Sequence, residues 1–212
     1  MNRLVFVAAA LMFGCGGGGR SAPQAAPPAE APLNSFASMR LIVLPVQGVR
    51  TGDALGWAAK VGERRVFLAS VDSALETAVK GKGLSSWVLA SDLARTARRN
   101  PTYATNPADI RAADAVRFLE RQRDENIPEP VASQLRTLSG FHDARYALIP
   151  VEVRFEPGNT SGTGRAVIRM AVLDVRGSRL VFIGDIGGTD APEYTPEIGA
   201  ALARRFADLV VP

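Results

Sequence analysis

A chain of 212 residues and 22.5 kDa, 47% hydrophobic and 22% charged, has the bulk of one globular domain and excludes a disordered or collagen-like protein. Of its 25 basic residues only Lys60, Lys80 and Lys82 are lysines; against 21 acidic residues the net charge is +4. So small an excess, spread along the chain, is mild basicity and lacks the clustering that nucleic-acid binding requires.

The chain opens with Met1-Asn2-Arg3, then an uninterrupted apolar run from Leu4 to Phe13, then Gly14-Cys15. A positive start followed by a short apolar core is the pattern of an export signal. Ten helical residues reach about 15 Å, half of a ~30 Å hydrocarbon core, so the run is too short to span a bilayer. Cys15 is the only cysteine, so no disulfide forms within the chain. Leu11-Met12-Phe13-Gly14-Cys15 resembles a bacterial lipobox, in which a small residue precedes a cysteine that is acylated and becomes residue one after cleavage. The resemblance implies a signal peptide over 1–14 and fatty chains such as palmitate on Cys15. Two or more acyl chains give the stable anchoring that one chain does not. Gly16 after the cysteine, where Asp is absent, resembles cargo sorted to the outer membrane.

Residues 16–36 read GGGGRSAPQAAPPAEAPLNSF, with four Gly, four Pro and five Ala among 21 residues. Such a stretch cannot build a core. Residues 15–36 are therefore expected to be a lipid-anchored flexible linker reaching at most about 65 Å, and 37–212 a single globular domain. The four glycines are no phosphate loop, because no Gly-Lys-Ser/Thr follows them.

Leu41 to Val46 is a β-branched run that predicts a buried strand, and Val66 to Ala69 reads as a second short one. Ser70 then predicts a helix cap, with Val71, Ala74, Leu75, Ala78 and Val79 as the inner stripe and Gly81 as the stop. Trp87 to Ala90 predicts another strand, and Ser91 the cap of a short helix. Asn106-Pro107 reads as cap and first turn of the next helix, with Ala108, Ala112, Ala115, Val116 and Leu119 inward. A helix with Val131, Leu135 and Leu138 inward closes at Gly140. Val151, Val153 and Phe155, alternating with Glu152 and Arg154, predict a half-exposed strand leading into a meander with strands near Arg165–Val175 and Leu180–Ile183. Thr195-Pro196-Glu197 predicts the start of a closing helix with Ile198, Leu202, Phe206 and Leu209 inward. The fold class expected is α/β or α+β: a mixed sheet of about five strands packed with helices, a carboxy-terminal meander and a final helix.

Three stretches carry a family resemblance. Leu41 to Val46, Ala144-Arg145-Tyr146-Ala147-Leu148, and Val172-Leu173-Asp174-Val175-Arg176-Gly177 resemble the opening strand, a strand entry and an Asp-x-x-Gly hairpin of the TolB amino-terminal-domain-like envelope proteins, a group that includes lipoproteins of the CsgG and LpoB kinds. Arg145 stands where that group usually has an acidic residue, and Pro150 where Gly is common. The resemblance implies a non-enzymatic adaptor, activator or channel subunit.

The residues themselves argue in the same direction. His142 is the sole histidine and follows the Gly140 helix stop, where a ring covering a helix end is the commoner arrangement. No Gly-x-Ser-x-Gly elbow exists to present a nucleophile. Asp185, Asp190 and Glu193 cluster in sequence and could offer paired carboxylates for glycan cleavage, but they read first as a solvated strand end and glycine turn before a helix. Arg95, Arg98 and Arg99 share one helix face and are the candidate surface for an anionic partner. The function expected is thus an outer-membrane lipoprotein with a periplasm-facing, non-catalytic protein-interaction domain in envelope assembly or maintenance, with no cofactor, no metal and no nucleic acid. An envelope protein partner is expected and self-association stays open. The alternatives are an oligomeric secretion-channel subunit, with Ala166, Ile168, Met170 and Val172 as one face of an inserting hairpin, and third a glycan-processing enzyme.

Overall fold

The computed structural model describes residues 33–211. Its strands β1 (Leu41–Val43), β2 (Trp87–Val88), β3 (Tyr146–Pro157), β4 (Gly164–Asp174) and β5 (Arg179–Gly187) form a single sheet in the order β2-β1-β3-β4-β5. β1 runs parallel to both its neighbours, β2 and β3, while β3, β4 and β5 follow one another antiparallel as the expected meander. Parallel neighbours need long crossovers, and α1 (Arg64–Gly81) supplies the first and α2 (Ala90–Arg99), α3 (Ala112–Arg121) and α4 (Val131–Phe141) the second. With α5 (Ile198–Val210) after β5 there are five α-helices among the described residues. The fold is α+β, with a mixed five-stranded sheet between two helical layers.

Each layer has its own core. On one face Leu41, Val43, Leu148, Ile168, Met170 and Val172 meet Phe67, Val71, Leu75 and Val79 of α1 and Leu202 and Phe206 of α5. On the other, Ile42, Leu44, Ala147, Ile149, Ala171 and Leu173 meet Leu93, Val116, Leu119, Leu135 and Leu138 of α2, α3 and α4. With both faces covered, β1 reads as a continuous apolar run, as a doubly buried strand should. Ala166, Ile168, Met170 and Val172 are fully buried in the first core, as core strands require.

Val151 is a β-bulge. The β3–β4 register passes from Pro150↔Met170 to Glu152↔Arg169, leaving Val151 without an opposite residue. One extra residue inverts the alternation beyond it. Val151 therefore packs with the α2–α4 layer, whereas Val153 and Phe155 pack with α1 and Trp57. The simple alternation that put Val151, Val153 and Phe155 on one face is corrected accordingly.

Several local expectations shift. Val66 to Ala69 is not a strand but the first turn and a half of α1, and Ser70 lies inside that helix, donating its hydroxyl to the Phe67 carbonyl at 2.7 Å. Phe67 begins the buried stripe Phe67, Val71, Leu75 and Val79, which at four-residue spacing is helical and outweighs the β propensity of Val66 and Phe67. Ser91 does not cap α2. Instead Glu76 reaches across from α1 to accept from the Ser91 N–H at 2.8 Å and its hydroxyl at 3.0 Å. Asn106 caps a single 3-10 turn, Pro107–Asp109, and α3 begins only at Ala112. Likewise α5 begins at Ile198, after Thr195 closes a turn onto its N–H. The body also begins earlier than composition suggests. Leu33–Phe36 forms a 3-10 turn whose Leu33 and Phe36 are buried against the first core, and the Phe36 carbonyl accepts from the Trp87 indole at 3.2 Å. The linker residues proposed before Leu33 and the signal segment lie outside the described residues.

Candidate binding groove

Beyond the carboxyl end of β1 the chain runs Leu44-Pro45-Val46-Gln47-Gly48 and stays extended against β3, with the Gln47 N–H donating to the Pro150 carbonyl at 2.9 Å. The start of α1 stands on one side of this segment and the Pro107–Asp109 turn and α3 on the other. Between them lie two adjoining hollows. One, of about 270 Å³, is walled by Gly48, Arg64, Ile110, Arg111, Asp114 and Glu152. The second, of about 510 Å³, has Pro45, Val46, Leu68 and Ala69 as an apolar floor and Arg65 and Asp72 beside it. Gln47, Arg64 and Ala108 border both, so together they form one groove. The carboxyl end of parallel strands is where open sheets of this kind usually present a binding crevice.

Two carboxylates lie at the base. Asp72 accepts from the Val46 N–H at 2.8 Å and so ties α1 to the segment after β1. Burial pushes its carboxyl up to about 6, and nearby Glu76 pushes the same way against the Val46 hydrogen bond. Glu152, buried on β3 just past the bulge, is held by the guanidiniums of Arg50 and Arg117, the latter at 3.6 Å. Asp114 is occupied by Arg111 at 2.7 Å and Arg117 at 3.1 Å. Arg64 and Arg65 are exposed and, among the described residues, have no carboxylate at ion-pair distance. Asp72 likewise has no cation at ion-pair distance among the described residues, so the guanidiniums of Arg64 and Arg65 at the α1 rim stand against one carboxyl at the base.

A raised carboxyl in a groove marks a candidate functional group. Glu76, one helical turn along, accepts from Ser91 and lies 3.7 Å from Lys80.

The sequence-predicted residues lie elsewhere. Cys15 lies outside the described residues. Arg95, Arg98 and Arg99 all sit on the exposed side of α2, but Arg95 is paired with Asp92 at 3.0 Å, which leaves Arg98 and Arg99 as its unpaired members among the described residues. His142 follows α4 as its C-cap, and its Nε2 lies 3.0 Å from the Thr96 hydroxyl of α2. Burial first, then the charge of Arg40, lowers its pKa against the opposing pull of Asp92, so the ring is neutral at pH 7 and joins two helix ends.

Asp185 and Asp190 are kept apart in role. Asp185, on β5, is gripped by both terminal nitrogens of Arg154 at 3.1 and 2.9 Å and approached by Arg169. Burial raises its carboxyl, but these arginines overcome it and hold the group below its ordinary value. Asp190 instead accepts from the Asn159 and Thr160 N–H groups and fixes the β3–β4 turn, while Glu193 is exposed. Among the described residues no group of three or more His, Cys, Asp or Glu is placed to hold a metal ion, and no helix is long and apolar enough to cross a membrane.

No family model matches the chain, and no curated protein matches it. Among solved structures it is similar to the NMR structure of E. coli LpoB, with 14% identity, 88% of this chain and 84% of that chain covered, and a TM-score of 0.37. It is also similar to a PelC dodecamer from Paraburkholderia phytofirmans, with 10% identity, 82% and 90% covered, and a TM-score of 0.35. The functional reading rests on this chain's own residues.

Sequence reasoning passed over the groove. Arg64-Arg65 opens α1, and reading the next four residues as a strand hid that pair at a helix start. Asp72, a polar residue next to the buried Val71 on an otherwise regular helix, was the other available signal.

Proposed function

We propose that the protein is an outer-membrane lipoprotein whose periplasm-facing domain binds a protein partner in envelope assembly or maintenance and turns over no substrate. The observation that carries this reading is Cys15, the sole cysteine, placed one glycine after a ten-residue apolar run and before a Gly-, Pro- and Ala-rich stretch. Acyl chains on that cysteine supply the anchor, at about 0.8 kcal/mol per buried CH₂.

The geometry of the folded part supports the same reading. The chain enters the body at Leu33–Phe36, where Phe36 packs edge-on against Tyr146 and receives the Trp87 indole hydrogen bond. Trp87 and Tyr146 both pair with Leu41 at the amino-terminal ends of the three parallel strands. The groove opens at the other end of β1. A tether attached through residues 15–32 therefore leaves the groove on the far side of the body, turned toward whatever the domain meets.

Fractionation of cells producing the wild-type chain and Cys15→Ser tests the assignment. The wild type is expected in the outer-membrane fraction, and the variant is expected to leave it. A wild type recovered in the cytosol, or an unchanged membrane distribution of the variant, overturns it.

A further inference from the structure

We infer that the groove at the carboxyl end of β1 is the docking site for an acidic, apolar-interspersed peptide segment of a protein partner, recognised by Arg64 and Arg65 at its rim and by the Pro45–Val46 and Leu68–Ala69 floor. This deepens the proposed function and rests on it only for the partner being a protein of the envelope.

Charge complementarity commits the site to this occupant. Three of the basic groups near the smaller hollow are already spent: Arg111 and Arg117 on Asp114, and Arg50 with Arg117 on Glu152. Arg64 and Arg65 are not, and Arg64 borders both hollows. Arg64 is also positioned. Its Nη2 lies 3.1 Å from where a Cβ on Gly48 would stand, so the missing side chain at Gly48 leaves room for the guanidinium to lean over the groove. Two neighbouring guanidiniums on one rim suit carboxylates spaced along an extended chain.

The base of the groove selects a peptide over a polyanion. A densely charged polymer would bring phosphate or sulfate groups against the Asp72 carboxylate, which lines the larger hollow and has no cation at ion-pair distance among the described residues. Like charges in a partly desolvated site repel, and such juxtaposition works as rejection. A peptide alternating acidic and apolar residues instead sets its carboxylates toward Arg64 and Arg65 and its apolar side chains on Pro45, Val46, Leu68 and Ala69. Arg98 and Arg99 have no such floor beside them among the groove residues, which separates this site from the exposed face of α2.

The test uses the full chain as purified from the cells that make it, fluorescently labelled and applied to an array of octapeptides of constant leucine content whose remaining positions step from all lysine to all glutamate. The expected signal rises with glutamate content and weakens at higher salt. Arg64→Glu combined with Arg65→Glu is expected to lose it at least tenfold, while Arg98→Glu combined with Arg99→Glu leaves it unchanged. Both pairs are solvent-exposed, and circular dichroism checks that each variant keeps the wild-type fold. A flat dependence on peptide charge, or an Arg64/Arg65 variant that binds as well as wild type, overturns the proposal. So does polyphosphate binding more tightly than the leucine–glutamate peptides, which would make the groove a polyanion site. Failure here leaves the membrane location of Cys15 untouched, and failure of the fractionation test leaves peptide binding untouched, so the two claims fall separately.

Discussion

Asp72 is the residue whose chemistry departs furthest from its ordinary state. Its folded carboxyl titrates at about 6, above the 3.8 of the free group, so the folded state binds its proton more tightly than the unfolded state does. The favourable contribution is complete below about pH 4 and is lost as pH rises through 6. Between pH 5 and 7 the wild-type chain is therefore expected to lose stability on going up in pH. Asp72→Asn keeps an acceptor for the Val46 N–H without the buried charge. It should flatten that slope and stabilise the chain at pH 7 by about 1–2 kcal/mol, after discounting for the part of the group still in water. Urea unfolding of both proteins at pH 5, 6 and 7 measures this; parallel pH profiles would contradict it.

Asp174 behaves oppositely. It is almost wholly buried, takes two hydrogen bonds from the Arg145 Nε and a third from its Nη2 at 2.7 Å, and accepts from the Gly177 N–H at 2.9 Å to shape the β4–β5 turn. Burial raises its carboxyl, but Arg145 and the Gly177 N–H together hold it below the ordinary value, so its contribution is present at neutral pH and lost in acid. Asp174→Ala strands the Gly177 N–H and is expected to cost about 2–3 kcal/mol at pH 7, read as a shifted urea midpoint. Arg145 is thus the partner of the hairpin aspartate.

At the scale of elements, the bulge at Val151 decides which side chains β3 gives to each layer. Deleting Val151 removes the extra residue and makes Pro150 and Glu152 consecutive partners of Met170 and Arg169, so Ile149, Val153 and Phe155 keep their layers. The deletion variant is therefore expected to unfold cooperatively, as followed by circular dichroism on heating. Val151→Ala keeps the bulge and removes only side-chain volume, at a cost of about 1–2 kcal/mol. A deletion variant that no longer unfolds cooperatively would contradict this account of the strand.

Element type was legible wherever one period dominated over ten or more residues. The apolar stripe of α4 and most of those of α3 and α5 stand in the sequence as they stand in the fold, as does the strand order of the meander, but Leu209 is exposed while Val210 is buried in its place, and Ala108 is exposed in the turn before α3. Starts were misread where local chemistry imitates a signal made elsewhere. Ser70 and Ser91 look like caps, but one lies inside a helix whose stripe begins at Phe67, and the other is itself bound by Glu76 from a different helix. The bulge left no trace, because Val151 is as apolar as its neighbours. The groove was illegible for a related reason: Pro45, Arg64, Ala108 and Glu152 are far apart in sequence and meet only through the β1–β3 pairing and the crossover of α1.

For the whole molecule, the sheet has two ends with different tasks. At one end Leu33 and Phe36 bind the start of the described chain to the core. Phe36→Ala is expected to cost about 3–5 kcal/mol, because it empties a buried site between Tyr146 and the first core, and thermal unfolding reads it. The other end carries the groove and its two free arginines. Between them the sheet, covered on both faces, holds entry and exit at a fixed separation.

The central claim is that this body hangs from a lipid at Cys15, and intact mass spectrometry of the detergent-extracted chain measures it directly. The account predicts a polypeptide that starts at Cys15 and is heavier than its sequence by fatty acyl chains. A chain that still carries residues 1–14, or one that starts elsewhere with Cys15 as a free thiol, would contradict it.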